Sequence, residues 1–364
     1  MEEAMSRKLG GSLKVPNVQE LAKQQLGAVP PRYIRDDIEN PVLLPSSMLL
    51  PQVPVIDMER LLDIGDDDSE LQMLHFACQE WGFFQLVNHG VNSSLVEKVK
   101  SEIGAFFDLP MEEKKKFEQQ EGDFEGYGQA FVVSDEQKLD WADILYMITL
   151  PSNLRKPHLF PKLPLSLREK IEEYSEEIKE LTMKVLELLG KAVGIKEEEV
   201  KSLFEEGMQS MRMNYYPPCP QPELVMGICP HSDACGLTIL LQVNETEGLQ
   251  IRKDGVWTPI VPLPNAFIVN VGDVLEIFSN GIYRSIENRS VVSSENERIS
   301  VATFHSPRLD GEFGPADSLI SADNPPKFKK IGVAEYYRGL FNRELVGKSY
   351  VDVMRITSED DLKN

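Results

Sequence analysis

The sequence predicts a mainly β fold with flanking helices, in which a jelly roll or barrel follows a helical N-terminal half. Three observations carry that expectation. After residue 208, short β-rich runs recur at regular spacing between tight-turn signals. Ahead of them, Leu167, Ile171, Tyr174, Ile178, Leu181, Val185 and Leu188 recur in steps of four and three, the apolar stripe of one long helix. The length of 364 residues exceeds what one small core uses and fits one large domain or two intimate ones.

The elements follow in order. Residues 1–52 read as an N-terminal arm, with one short amphipathic stretch, VQELAKQQ, and Pro-rich connectors. PVID at 54–57 predicts a first strand. Ser69 to Trp81 predicts a helix, because Leu71, Leu74, Cys78 and Trp81 fall at helical spacing. GFFQLVNHG predicts a buried strand. Ser94 and Glu97 have capping-box spacing, in which hydroxyl and carboxylate satisfy each other's backbone N–H groups. The helix behind them runs through Phe106 and stops at Pro110. Residues 110–160 are mixed, and Gly126 and Gly128 in EGYGQ predict a loop. Ser166 and Glu169 repeat the capping pattern ahead of the long helix, which ends at Gly190 or Gly194. Residues 53–207 together make the expected helical N-terminal domain.

The β domain spans 208–310. Its runs are MRMNYYP, LTILLQV, LQIRK, VWTPI, AFIVNVG, LEIFS, YRSIE and ISVATFH, with Asp254-Gly255 and Asn280-Gly281 as two-residue hairpin signals. Residues 311–364 hold a last helix over 333–345 and a frayed end after Arg355.

Composition excludes several partners. A formal charge of −21 argues against nucleic acid and anionic membrane, which need a basic footprint. The acid is spread over DIGDDDSE, the helix around 168–206 and the tail SEDD, as solvated faces. No apolar run reaches bilayer length, and MEEAMSRKLGG lacks the apolar core of a secretory signal. We therefore expect a cytoplasmic monomer. Cys78, Cys219, Cys229 and Cys235 contain no C-x-x-C pair, and read as free thiols of a reducing compartment.

Three groups of residues carry chemistry. His231 and Asp233 in CPHSDACG are two apart, so a strand aims both at one face. Imidazole and carboxylate together suit iron(II), although a His in such a pair is more often a packed or hydrogen-bonded residue than a ligand. Arg298 and Ser300 also alternate. A guanidinium grips a carboxylate through two parallel hydrogen bonds, and a hydroxyl adds a third. A surface Arg beside a turn is the other reading, and the apolar continuation ISVATF weighs against it. Arg212, Asn214 and Tyr216 share the opposite face of their strand from Met211, Met213 and Tyr215, which predicts a cavity lining or the solvent face of an edge strand.

NYYPPCPQPEL, HSD, GLQI with VW, NVGD, SNGIYRSI and RIS, in that order, together with WGFFQLVNHGV at 81–91, resemble the plant 2-oxoglutarate/iron(II)-dependent dioxygenases from about residue 50 to residue 355. EGYGQAFVVSDEQKLDWAD and MRMNYYPPCPQPEL are most similar to the branch of alkaloid O-demethylases and norcoclaurine-synthase-like proteins. The resemblance implies a double-stranded β-helix (jelly-roll) core with a flanking helical domain and a C-terminal lid helix. It implies an oxidoreductase that binds iron(II) on His231 and Asp233 and 2-oxoglutarate on Arg298, Ser300, Tyr216 and Asn214. O2 is the second cosubstrate, and ascorbate is a further cofactor the resemblance allows. The implied reaction is O-demethylation or hydroxylation of a plant specialised metabolite such as an alkaloid or phenolic. By analogy, Tyr127, Phe131, Met147, Arg212, Phe304 and Phe341 line a pocket for an aromatic or polycyclic molecule. Core packing is the other reading for Met147, Phe304 and Phe341. Arg212 meets an acidic or phenolic oxygen, or salt-bridges a neighbour.

One position departs from the family. Its E-H-R motif is here Glu287-Asn288-Arg289, so Asn288 stands at the third-ligand position. The histidines are His75, His89, His158, His231 and His305. His75 and His89 belong to the N-terminal region, and His305 lies several residues past Arg298 and Ser300. An amide oxygen is a weaker donor to iron(II) than imidazole. Three readings stand open: an oxygenase attenuated by Asn288, a fold reassigned to non-oxidative cyclisation or isomerisation with His231 and Asp233 as acid and base, and a non-catalytic binder of a small hydrophobic molecule. The intact Arg298/Ser300 pair favours the first.

Overall fold

A computed structural model describes residues 11–24, 26–36, 52–63, 68–129, 131–343 and 347–357. The tail SEDD, most of the DIGDDD run and the end of the predicted 333–345 helix lie outside the described residues.

Two sheets make the jelly roll. The strands are β1 (Val55–Asp57), β2 (Phe83–Val87), β3 (Gly126–Gly128), β4 (Asp143–Leu150), β5 (Met208–Tyr216), β6 (Ile228–His231), β7 (Leu237–Gln242), β8 (Leu249–Lys253), β9 (Val256–Pro259), β10 (Phe267–Val271), β11 (Asn288–Ser290) and β12 (Arg298–Ser306). The large sheet runs β1-β2-β10-β7-β12-β5-β4-β3 and the small one β6-β11-β8-β9. Four strands of the large sheet thus come from the N-terminal half.

The outer face of the large sheet is covered by the helix Leu165–Val193, whose predicted stripe from Leu167 to Val185 is buried. At its last turn Leu189 is buried and Leu188 only partly so, because steps of four and three drift off a 3.6-residue turn. Gly194 ends the helix in the left-handed region at φ 82°.

Several local expectations are corrected. Neither predicted capping box forms. Asn92 caps the helix Ser93–Phe107, accepting from Ser94 N (2.8 Å) and Leu95 N (3.3 Å). The long helix starts behind Pro164 without a side-chain cap, and Ser166 Oγ donates instead to Glu102 (2.7 Å). Ser69–Trp81 is α-helical only to Phe76, and a wider turn over Ala77–Trp81 carries the chain to Gly82. EGYGQ is not a loop: its glycines form β3 against β4. A Cβ on Gly126 would stand 2.7 Å from Gln119 N, so the glycine marks close backbone approach rather than a turn.

LEIFS lies in a helix, Asp273–Phe278, not a strand. Short apolar runs do not distinguish the two, and here the first turn is held by Asp273 N donating to Asp233 O (2.7 Å). Asn280-Gly281 has the positive φ pair of a tight turn (52° and 80°) but ends that helix instead of closing a hairpin. Asp254-Gly255 does join β8 to β9. In place of a strand over YRSIE, β11 occupies Asn288–Ser290. The predicted C-terminal helix forms over Val333–Phe341, and one more short helix, Ser349–Asp352, follows it.

The N-terminal arm is docked through its own small core. Val18, Val29 and Tyr33 pack with Trp141, Leu139 and Val225. The short helix Val18–Ala22 aims its first N–H groups at buried Asp143, which accepts from Val18 N (2.9 Å) and Gln19 N (2.7 Å). Lys114 Nζ bonds Gln19 and Phe107 O nearby. No helix among the described residues is long and apolar enough to cross a membrane. All four cysteines are buried free thiols.

Burial pushes the Asp143 carboxyl up to about 7, against the pull of those two N–H groups and Lys114. A carboxyl whose folded pKa exceeds its unfolded value prefers to fold neutral. Its stabilisation is full below the unfolded pKa and is lost as pH rises through about 7. Glu125, also pushed up to about 7 by burial, acts with the same sign. Thermal unfolding followed from about pH 5 to pH 8 should therefore show Tm falling. In Asp143→Asn the fall should shrink by about 2–4 °C.

Candidate active site

β5 and β12 build the site as a pair. Arg298 lies opposite Tyr216, Ser300 opposite Asn214, and Ala302 opposite Arg212. Alternation turns these residues into the space between the two sheets and sends Met211, Met213 and Tyr215 into the core. The strand is central and wholly buried, so its polar face lines a cavity.

Arg298 is 3% exposed, and its hydrogen-bond partners are neutral. Nη1 donates to Ser290 Oγ (3.1 Å) and Ser300 Oγ (3.4 Å), and Nη2 to Gln242 Oε1 (2.9 Å). The guanidinium lies 5.1 Å from the Tyr216 ring centre. Its Nε and the nearby Asn214 Oδ1 have no hydrogen-bond partner. A buried cation among neutral partners is a seat for a carboxylate, because its desolvation is otherwise uncompensated. Gln242 and Ser290 escaped the sequence reading. Gln242 arrives through the β7–β12 register and Ser290 from the other sheet, and neither carries a local signal.

His231 ends β6, and its Nδ1 donates to Cys229 O (2.8 Å), which leaves Nε2 with the lone pair. Nε2 stands 3.4 Å from Asp233 Oδ1. The other oxygen, Oδ2, accepts from Thr238 Oγ1 (2.6 Å) and Asn270 Nδ2 (2.8 Å). Burial opposes the Asp233 charge, but the adjoining His231 ring and hydrogen bonds from Thr238 and Asn270 hold the carboxyl below the usual range. The C-terminal segment crosses this strand end, with Gly347 N donating to Pro230 O (3.0 Å) and Ser232 N to Gly347 O (3.2 Å).

Asn288 is the direct cross-strand neighbour of His231. Its amide donates to His231 O (3.3 Å). His305 does not stand in for a ligand: Phe304 and Ser306 line the cavity, and His305 alternates away from it, where burial lowers its pKa to about 3. Among the described residues, no three His, Cys, Asp or Glu side chains converge on a cation position. The residues present fit a carboxylate at Arg298, and they offer a cation two side-chain donors, His231 and Asp233, rather than three.

Beside these groups opens a largely aromatic cavity. Phe341, at the end of the helix Val333–Phe341, stacks on Phe124 (4.1 Å, 14°) and on Phe131 (5.4 Å, 14°). Tyr337, one turn earlier, is hydrogen-bonded to Ser306 Oγ (2.6 Å) and Ala234 O (3.1 Å). Phe131, Arg212, Phe304 and Phe341 line the cavity, as do Phe124, Tyr146, Met208, Tyr337 and Leu340, which sequence reasoning missed. Tyr127 and Met147 do not. Tyr127 is a core residue whose hydroxyl accepts from Asn17 Nδ2 (2.6 Å). Met147 lies opposite Met211, on the core face of β4, and Tyr146 next to it takes the cavity side. A step of one residue along a strand reverses the face. The four-residue spacing of Tyr337 and Phe341 on a helix was the available signal for Tyr337.

A jelly roll holding a buried arginine seat beside a His-x-Asp pair defines an oxygenase scaffold. Residues 53–163 match the family described as "non-haem dioxygenase in morphine synthesis N-terminal", and 207–307 match the 2OG-Fe(II) oxygenase superfamily. The chain is 58% identical to oxoglutarate-dependent flavonoid 7-O-demethylase 1 of Ocimum basilicum, over 97% of this chain and 94% of that protein. It is 53% identical to thebaine 6-O-demethylase of Papaver somniferum, over 98% and 100%. Among solved structures, JOX2 in complex with 2OG, Fe and JA superposes with a TM-score of 0.86 at 36% identity, covering 95% of this chain and 99% of that one. The chain belongs to the plant 2-oxoglutarate/iron(II)-dependent oxygenases, a family whose cofactor is iron(II) and whose cosubstrate is 2-oxoglutarate.

Thr238→Val removes the shorter donor to a buried carboxylate. The loss should be about 1.5–3 kcal/mol at neutral pH, measured by urea denaturation of the metal-free protein.

Proposed function

We propose that this chain oxidises a flat aromatic or polycyclic small molecule, by O-demethylation or hydroxylation, at a metal centre weakened by Asn288. The observation that carries the proposal is the Arg298 seat: a buried guanidinium with neutral partners, opening beside His231 and Asp233. A repurposed or purely binding site has no need of it. The flavonoid and thebaine O-demethylases among the relatives support an aromatic methyl ether as substrate. The four buried thiols fit a reducing compartment such as the cytoplasm.

In this reading Arg298, Ser300, Tyr216 and Asn214 hold 2-oxoglutarate, with Gln242 and Ser290 fixing the guanidinium. His231 and Asp233 hold the iron. Bound iron(II) supplies oxygen activation, with 2-oxoglutarate as the two-electron reductant. The protein's own part is geometric and electrostatic. Cys229 O sets the His231 tautomer, and Thr238 and Asn270 keep Asp233 ionised and oriented. The Phe124–Phe341–Phe131 stack shields the cavity from water. Asn288, whose amide is turned to His231 O, leaves the third position to a weaker donor.

Two outcomes test this. 2-Oxoglutarate should raise the Tm of the wild-type protein and leave Arg298→Met unmoved, with affinity lowered on the order of 100-fold by loss of the buried charge. Iron content and succinate formation should both rise in Asn288→His, with metal affinity up at least about 10–100-fold. Equal turnover in both proteins would show that Asn288 attenuates nothing. Substrate conversion without oxygen or 2-oxoglutarate would replace the oxidative reading with the non-oxidative one.

A further inference from the structure

The aromatic cavity contains one guanidinium, that of Arg212, besides the imidazole and carboxylate of the metal pair. Arg212 sits in the middle of β5, opposite Tyr146 on one side and Ala302 on the other. Strand alternation gives it the same direction as Ser210 and Asn214. It stands where the aromatic cavity meets the Arg298 seat and lines both. The residue is 8% exposed.

Among the described residues, no carboxylate lies within ion-pair distance of its guanidinium. Its Nε is buried without a hydrogen-bond partner among the described residues. The carboxylate that feels its charge is Asp140. Burial pushes that carboxyl up, and Arg212 pulls it down ahead of Arg35, but from beyond ion-pair distance; Asp140 Oδ1 also accepts from Cys229 N (3.0 Å) and faces Arg35 Nη1 (4.0 Å). Tyr146, its cross-strand neighbour, donates its hydroxyl to Ser210 Oγ (2.9 Å). A guanidinium has five N–H donors in a rigid fork and stays charged when buried. One held among phenylalanines with an unsatisfied nitrogen is destabilising unless a ligand completes it.

We propose that Arg212 is the specificity-determining residue of this cavity, and that it receives an anionic oxygen, a carboxylate or an ionised phenol, carried by the aromatic substrate. The inference rests on the reading of the cavity as an aromatic substrate site, and it narrows that substrate to acids. The Phe124–Phe341–Phe131 stack supplies affinity for any flat ring. The fork of Arg212 supplies the choice among rings, because a ligand with no acceptor leaves the buried cation unpaired. It also sets orientation, since the acidic oxygen is drawn to β5 beside His231.

The test is equilibrium binding to the full chain at saturating 2-oxoglutarate, without turnover, using three flat probes: 2-naphthoate, 2-naphthol and methyl 2-naphthoate. Wild type should bind the naphthoate about 10-fold or more tighter than its ester. Arg212→Met should erase that ratio by weakening the acid alone, and Arg212→Lys should restore part of it. Strengthening of 2-naphthol binding with rising pH, lost in Arg212→Met, would assign the oxygen to a phenolate. An acid preference confined to naphthoate would assign it to a carboxylate. Equal weakening of acid and ester in Arg212→Met would overturn the proposal in favour of a packing role. So would a loss of 2-oxoglutarate affinity with the acid preference intact. If no probe binds the wild-type protein, the aromatic-cavity reading itself fails, and this inference with it.

Discussion

The antiparallel pairing of β5 with β12 is the constraint on which the site depends. Nine residue pairs run from Arg298 opposite Tyr216 to Ser306 opposite Met208 without a bulge. One register therefore sorts two strands at once. Every second residue meets the space around Arg298 or the aromatic cavity, and the others turn to the buried face beneath the long helix. A slip of one residue would place Met213 and Val301 in the cavity and bury Asn214 and Ser300 in the core. The apolar parity of both strands penalises that slip, so core packing and site geometry are specified by the same contacts.

What the register assembles is electrostatically unusual for this chain. A protein of net charge −21 keeps Arg212 and Arg298 in its interior, facing adjoining spaces, and among the described residues neither holds a carboxylate within hydrogen-bond distance. Buried cations destabilise a fold unless something compensates them. Around Arg298 the fold compensates only partly, with two hydroxyls, an amide and a ring face. Around Arg212 it compensates less. In the proposed reading anionic ligands supply the remainder, inside an otherwise acidic protein. The His231–Asp233 pair has the opposite character: Asp233 is well supplied with donors, and His231 is fixed by a backbone carbonyl.

Legibility in the sequence followed the range of each interaction. Alternation in MRMNYYP and RISVATF was read correctly because period two is a local property of the strand. The long amphipathic helix was legible for the same reason. The capping boxes failed because Asn92 and Pro164, outside both patterns, set where those helices begin. LEIFS was misread because a short apolar run takes its form from what docks against it, here the Asp233 carbonyl. Tyr127 and Met147 were placed in the pocket by analogy, yet each lies one residue out of phase with a residue or face that meets it.

By itself, then, the sequence determined the family, the β-rich class and the parity of the two central strands, since composition, motif order and period two need no partner to be read. The tertiary structure alone decided the rest. It brought Gln242 and Ser290 from two other strands to Arg298, and Thr238 and Asn270 to Asp233. It set Asn288 directly across from His231, with its amide turned to a backbone carbonyl. It also turned Arg212 into the cavity with no carboxylate at ion-pair distance among the described residues. Each of these depends on which strands become neighbours across large separations in the chain, and no local pattern encodes that.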